Sequence, residues 1–307
     1  MKNSSGREYP SYIDLYKSGA LKNTVDELIK KLSACDICPR RCGVNRLSEE
    51  RGVCQTGRLA VVSRYHAHFG EESVLVGKGG SGTIFFAGCN LKCLFCQNYD
   101  ISHYMNGKEM TPEELARCML EIQEMGCSNL NLVTPTHVVP QILEALLIAV
   151  ESGFTLPIVY NTGGYDSVYT LKLLDGIVDI YMPDIKYLYR NLSKEFSDAE
   201  DYPEIVRKAV KEMHRQVGDL VVSPDGLAVR GLLVRHLVLP ELKENTEEVI
   251  KFVAEEISKD TYINIMSQYH PCYRATGHPP LNRPLRMDEW IEVKVMARSR
   301  GLTRFDR

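Results

Sequence analysis

GTIFFAGCNLKCLFCQN, residues 82–98, joins an apolar run to a cysteine cluster. Thr83 to Ala87 has the β-branched and aromatic content of a buried strand. It feeds directly into Cys89, Cys93 and Cys96, a C-x3-C-x2-C set that puts three thiolate-capable side chains on one short loop. In a chain with ten cysteines such a triplet arises by chance less than about once in a hundred sequences. Reduced cysteines also serve as small buried hydrophobes, but three on one loop point to a metal cluster. Three thiolates holding a four-iron cube leave one iron without a protein ligand, and an open iron is a place for chemistry.

A second cysteine group lies upstream. CDICPRRCGVNRLSEERGVC, residues 35–54, sets Cys35, Cys38, Cys42 and Cys54 at C-x2-C-x3-C-x11-C spacing, with Pro39 and Gly43 as turn formers. Four thiolates close a metal site completely, and both tetrahedral zinc and a second four-iron cluster use that set. The spacing matches neither template well enough to choose. Seven of the ten cysteines thus fall in two tight groups, which in a reducing compartment reads as metal binding rather than as a disulfide framework.

Length and composition bound the rest. With 307 residues, 44% of them hydrophobic, the chain can bury a sizeable core as one barrel-sized domain or two smaller ones. Its formal net charge of −3 offers no general attraction to nucleic acid or to membranes. MKNSSGREYPSYIDLYKSG at the N-terminus lacks the apolar core of a signal peptide, and no run is apolar enough to span a bilayer. A cytoplasmic protein is expected.

Periodicity organises the chain into three parts. Residues 1–58 read as a helical preface, 12–32, followed by the four-cysteine segment. Residues 59–275 read as the core. There, 59–76 suggests two short strands around Phe69-Gly70, and after the cysteine loop strand and helix alternate. Thr111-Pro112-Glu113-Glu114 combines an N-cap, a first-turn proline and a capping-box glutamate ahead of a helix ending near Gly126. Strands follow at 129–133, 157–160, 176–182, 232–239 and 262–266. Helices are expected over 139–152, from an Asp166 cap to Leu174, from Asp201 to Val217, and from an Asn245-Thr246 cap to Ser258. Residues 276–307 form a helical extension, with Trp290, Ile291 and Val295 facing the core. Six strands with five intervening helices argue for a parallel α/β sheet, too few for an eight-fold barrel, and parallel barrels carry their chemistry at the C-terminal strand ends.

The strand, the C-x3-C-x2-C loop and Phe95 just before the last cysteine resemble the signature of radical S-adenosylmethionine (radical SAM) enzymes. The resemblance implies a partial (β/α)6 barrel in which Cys89, Cys93 and Cys96 hold a [4Fe–4S] cluster. Its open iron is chelated by S-adenosyl-L-methionine, with Phe95 against the adenine. Residues 80–275 carry it, and further motifs resemble glycyl-radical-enzyme activases related to pyruvate formate-lyase activating enzyme. Asn161-Thr162 stands at the third strand end, Met182-Pro183-Asp184-Ile185-Lys186 at the fourth, and Arg235 in the fifth. On that resemblance Lys186 and Arg235 contact the cofactor's ribose and carboxylate, and Asn161, Thr162, Met182 and Asp184 frame a monovalent cation. His270 stands near the cofactor, with Lys186 and His270 as the catalytic candidates. Thr134-Pro135-Thr136-His137 departs from the Gly-Gly-Glu that many relatives carry, so Thr134 and Thr136 are expected to offer oxygens to the cofactor's ammonium.

From the residues alone, Asp184 and Lys186, two apart on one strand, share a face and also suit a structural pair. Arg235 in an apolar strand calls for an anion. His137 reads as a helix cap or a proton donor, and Tyr269, Cys272 and Tyr273 as a packed loop. Three functions stand open. One is hydrogen abstraction from a protein or peptide by a 5′-deoxyadenosyl radical, supplied with electrons by a donor such as flavodoxin or ferredoxin. The second is the same chemistry on a small molecule or RNA, and the third is a non-catalytic, zinc-stabilised binding protein.

Overall fold

The computed structural model describes residues 10–306; the first nine residues of the stretch read for a signal peptide lie outside them. Nine strands build the sheet among the described residues: β1 (Ala60–His68), β2 (Ser81–Phe86), β3 (Lys108–Met110), β4 (Leu130–Val133), β5 (Ile158–Thr162), β6 (Ile180–Pro183), β7 (Val221–Val222), β8 (Ala228–Leu237) and β9 (Tyr262–Met266). Six of them, β2-β4-β5-β6-β8-β9, run parallel in that order. The α/β alternation read from periodicity is therefore the architecture. β1 lies antiparallel on the outer edge of β2, and β3 pairs with β1. Residues from β1 and β2 at one end of this order and from β9 at the other line a single cavity, so the sheet curves into a partial barrel.

Helices Pro112–Glu124, Val139–Glu151 and Tyr202–Val217 cover the outer face and bury Met119, Leu146 and Val210. The capping box at Thr111 and Glu114 forms as the sequence dictates. Inside, the two-residue period of each strand sorts side chains by height. Val159, Ile180, Met182 and Leu233 form an apolar layer, joined by Val74 and Leu75 from the turn Ser73–Val76. Two residues beyond Val159, Met182 and Leu233 stand Asn161, Asp184 and Arg235.

Several expectations change. The second strand expected within 59–76 is the helical turn Ser73–Val76, because Val74 and Leu75 are drawn into the inner layer. Asp166 does not cap its helix; Ser167 does, its hydroxyl accepting from Thr170 N–H. Asp166 is instead buried and bonded to Thr136, Tyr160 and Thr162. Asn245 and Thr246 sit inside Lys243–Phe252 rather than capping it. They bond to Leu188 N–H and His236, which is tertiary wiring in place of a cap. In the last helix, Met287–Ser299, Ile291 is 51% and Val295 58% exposed; Val293 and Ala297 are the buried positions. Trp290 is half-buried and donates to Ile265 O at 2.8 Å. The tail runs along β9, with Ile263 N–H donating to Arg304 O at 2.9 Å and Ile263 bridged to Phe305.

Gly82 opens β2 against the Pro112–Glu124 helix. A β-carbon there meets Ile122 Cγ2 at 2.0 Å and Asn129 O at 2.9 Å. Gly82→Ala is expected to destabilise the fold by about 2 kcal/mol through overpacking, read as a lower denaturant midpoint at unchanged slope.

Candidate active site

β2 delivers the cysteine loop through Gly88, whose φ is +83°. A β-carbon at Gly88 lies 2.5 Å from Cys54 O, so both the turn and the close approach require glycine. Cys89, Cys93 and Cys96 then line a cavity of about 390 Å³ at the C-terminal strand ends. Each sulfur receives a fixed donor: Leu91 N–H at 3.3 Å to Cys89, Ser197 Oγ at 3.0 Å to Cys93 and Ser102 Oγ at 3.2 Å to Cys96. Burial pushes the Cys96 thiol up to about 12 and raises Cys89 as well. A bound metal reverses that preference by taking the proton's place. Three sulfurs on one wall, each with its own donor, suit the three protein ligands of an iron–sulfur cluster, whose potential such bonds tune.

Facing the loop is a charged rung. Asp184 accepts from Lys186 Nζ at 2.6 Å and from Arg235 Nε at 2.8 Å, and Arg235 also donates to Asn161 Oδ1 at 2.8 Å. Burial by itself raises the Asp184 carboxyl, but Arg235 and then Lys186 outweigh it and hold it down at about 2. The Tyr202 hydroxyl braces the rung, accepting from Lys186 N–H at 3.0 Å within reach of the Gly163 and Asp184 carbonyls. Within the rung, two cations, one anion and a neutral amide leave net positive charge, which suits an anionic group on a ligand while the nearby Glu71 carboxyl holds its proton.

Of the residues expected at the site, Phe95, Thr134, Asn161, Thr162, Asp184, Lys186 and Arg235 line this cavity with the three cysteines. Phe95 is buried and meets Tyr187, Phe196 and Tyr269 edge-on. Thr134 has φ +61°, a left-handed backbone unusual for a β-branched residue. Thr136 is not on the wall; it is buried and bonded to Thr162 and Asp166. Met182 belongs to the apolar layer beneath. His270 is exposed, its ring held by Gln268 O, and Gln268 lines the cavity in its stead. The side-chain oxygens of Asn161, Thr162 and Asp184 are engaged by Arg235, Asp166 and Lys186. Lys186 and Arg235 thus bond the oxygens of Asp184 and Asn161 that the resemblance assigns to a monovalent ion. His137 caps nothing: Nε2 bonds to Ala87 O at 2.9 Å, and the helix it precedes has no side-chain cap.

Sequence reasoning missed the wall opposite. Arg64, His68, Glu71 and Phe85 line the cavity from β1, β2 and the strap between them. Arg64 lies 4.4 Å over the Phe85 ring, and Glu71 approaches Arg235 at 3.6 Å. Glu72 is buried beside it and accepts from Asn264 at 2.9 Å. Burial raises the Glu71 carboxyl to about 7, against the pull of Arg235. The alternation Arg64, His66, His68 was a signal of one polar strand face.

The sequence profile of the Radical SAM superfamily matches residues 83–253. An uncharacterized protein of Methanocaldococcus jannaschii is 34% identical over 278 residues, covering 87% of this chain and 75% of its own. A second protein of that organism, also uncharacterized, is 26% identical over 266 residues, covering 80% and 73%. The pyruvate formate-lyase-activating enzyme of Clostridium pasteurianum is 26% identical over 196 residues, covering 62% of this chain and 75% of that enzyme. No helix among the described residues is long and apolar enough to cross a membrane.

Asp184→Asn leaves Lys186 and Arg235 without their shared counter-charge and is expected to cost roughly 3 kcal/mol, measured by anaerobic denaturant unfolding. Glu71 carries a pH signature. Its folded carboxyl holds a proton to about 7, against an ordinary 4.5, so in that window the unfolded chain binds fewer protons. The contribution of Glu71 to stability is therefore expected to fall as pH rises from 4.5 to 7, by up to about 3 kcal/mol, while buried His137 and His236, held down to about 4, contribute in the opposite sense. Glu71→Gln should remove the falling component, read as the difference between variant and wild-type unfolding midpoints across the window.

Proposed function

We propose that this chain, which belongs to the radical SAM superfamily, reductively cleaves S-adenosylmethionine and uses the product radical to abstract a hydrogen atom from a protein or peptide. The observation that carries the reading is the cavity itself. Three sulfurs, each with its own donor, stand on one wall, and a cationic rung built on Asp184 faces them.

Cys89, Cys93 and Cys96 would hold the cluster. Such a cluster, once reduced and with S-adenosylmethionine bound, would supply one-electron reductive cleavage of the sulfonium C–S bond to methionine and a 5′-deoxyadenosyl radical. The chain's own part is to bind, orient and exclude water. Arg235 and Lys186 present the positive charge that a cofactor carboxylate needs, and Asp184 fixes both heads so that little side-chain order is lost on binding. Phe95, rigid among three rings, offers a flat apolar face for a purine. Thr134 lines the cavity with its backbone held in the left-handed region, and its hydroxyl and carbonyl would be the acceptors for the cofactor's ammonium. Phe85, Leu237 and Met266 keep much of the cavity wall apolar, which keeps water from a reactive radical.

Activating-enzyme character is supported by the similarity to the Clostridium pasteurianum enzyme and by Asp184 and Lys186 at one strand end bonded to Arg235 on the neighbouring strand. A low-potential one-electron donor of the flavodoxin or ferredoxin kind would reduce the cluster.

Anaerobic protein with dithionite and S-adenosylmethionine is expected to form 5′-deoxyadenosine. Cys93→Ala should bring this to background, and Arg235→Met should weaken cofactor binding by at least about tenfold, as loss of a charged hydrogen bond implies. Deuterium transfer into 5′-deoxyadenosine from labelled proteins, set beside labelled metabolites and RNA, identifies the hydrogen donor. Transfer from a metabolite or RNA alone overturns the protein-substrate assignment. Zinc in the Cys89, Cys93 and Cys96 site, with no 5′-deoxyadenosine, overturns the catalytic reading.

A further inference from the structure

The N-terminal cysteines meet around a small cavity of their own. Cys35, Cys38, Cys42 and Cys54 line it together with Arg46 and His137. The segment folds as a knuckle, with Cys35 N–H donating to Val44 O and Gly43 N–H to Cys35 O, both at 2.9 Å. Gly52 supports Cys42 so closely that a β-carbon there meets its sulfur at 2.7 Å.

Two buried side chains on this cavity are left incompletely bonded. Arg46 is 1% exposed; Nε donates to Gly57 O at 3.0 Å and Nη1 to His137 O at 2.8 Å, with Cys35 Sγ at 3.8 Å. Its Nη2 has no partner, nor has Nδ1 of His137, which is also 1% exposed. Among the described residues Arg46 makes no ion pair. A guanidinium placed in the interior without an anion is costly, and four neutral thiols supply none. Four thiolates around a doubly charged zinc ion or cubane carry about two units of excess negative charge, the countercharge that Arg46 lacks.

The same segment grips the catalytic loop. Cys54 O abuts Gly88, and Arg40 donates to Asn90 O at 2.8 Å and Ser197 O at 3.0 Å. Ser197 is the donor to Cys93.

We propose that Cys35, Cys38, Cys42 and Cys54 hold a second metal centre, that Arg46 meets its excess negative charge, and that the centre fastens the loop bearing Cys89 and Cys93. Zinc and a [4Fe–4S] cubane share the required chemistry. Among the described residues no three His, Cys, Asp or Glu converge on one ion-sized point. Filling the site therefore either draws the sulfurs in on one ion or spaces them around a cube. The inference stands apart from the catalytic reading, because it concerns four cysteines that take no part in cofactor cleavage.

The test is metal and acid-labile sulfide content of anaerobically purified Cys89→Ala/Cys93→Ala/Cys96→Ala protein. About one zinc, or about four iron with four sulfides, per chain is expected, and the two outcomes name the metal. Protein holding neither overturns the proposal. If the triple variant does not fold, wild-type protein decides: iron clearly above four, or zinc beside iron, supports it, and four iron alone overturns it. Arg46→Met should release metal to a chromophoric chelator at least about tenfold faster, and Arg46→Lys should recover most of the difference. Release at the wild-type rate overturns the charge role. Hydrogen exchange over residues 88–97 should rise in Cys38→Ser/Cys54→Ser protein, and unchanged exchange overturns the fastening.

Discussion

A carboxylate shared between two cations is the interaction on which the rest of the site depends. Asp184 is reached by Lys186 from its own strand end and by Arg235 from the neighbouring strand, and Arg235 continues to Asn161 on the strand before. Any of these groups taken singly into the barrel would be costly. Together they join three strand ends into one rung, and Tyr202 ties that rung to the outer helical layer. Apolar Val159, Met182 and Leu233 lie two residues below, with Ile180 two further down. The polar wall is thus the continuation of an ordinary core, with the change of chemistry placed where the strands run out.

The cysteine loop is organised by elements far from it in sequence. Cys93 takes its donor from Ser197 at the end of Arg190–Ser197, and Leu94 is held between Phe196 O and Arg274 N–H. Gly88 fits beneath Cys54, and His137 bolts Ala87 from the loop after β4. Three sulfurs on a short loop would otherwise sample many arrangements. Here the cost of ordering them falls on folding, before any ligand arrives.

Much of this was legible in the chain. Six parallel strands follow from apolar runs broken by helical periods; the strand-end rule and the family resemblance picked out Asn161, Asp184 and Lys186, and Arg235 stood out as a cation inside an apolar strand. What escaped was set by tertiary contact. Ser73–Val76 has strand-forming residues, but burial of Val74 and Leu75 decides its shape. Asn245 and Thr246 resemble a cap, yet their side chains serve Leu188 and His236. Thr136 lies beside Thr134 in sequence but turns away from the cavity to Asp166. Arg64, His68 and Glu71 were passed over because β1 runs antiparallel and outside the helical alternation, so the strand-end rule did not extend to it. Asp166, read as a helix cap, is buried among three hydroxyls, an environment that local sequence does not encode.

The tail along β9 has a bearing on how this molecule coexists with copies of itself. An open parallel sheet presents unpaired backbone groups at its margins, and such margins template the addition of foreign strands. On one side β1 and β3 take up the hydrogen bonds of β2. On the other, Ile263 exchanges bonds with Arg304 and Asp306 across the Phe305 bridge. Residues 304–306 therefore act as a selvedge at Ile263, taking up backbone groups that would otherwise be open to a neighbour's strand.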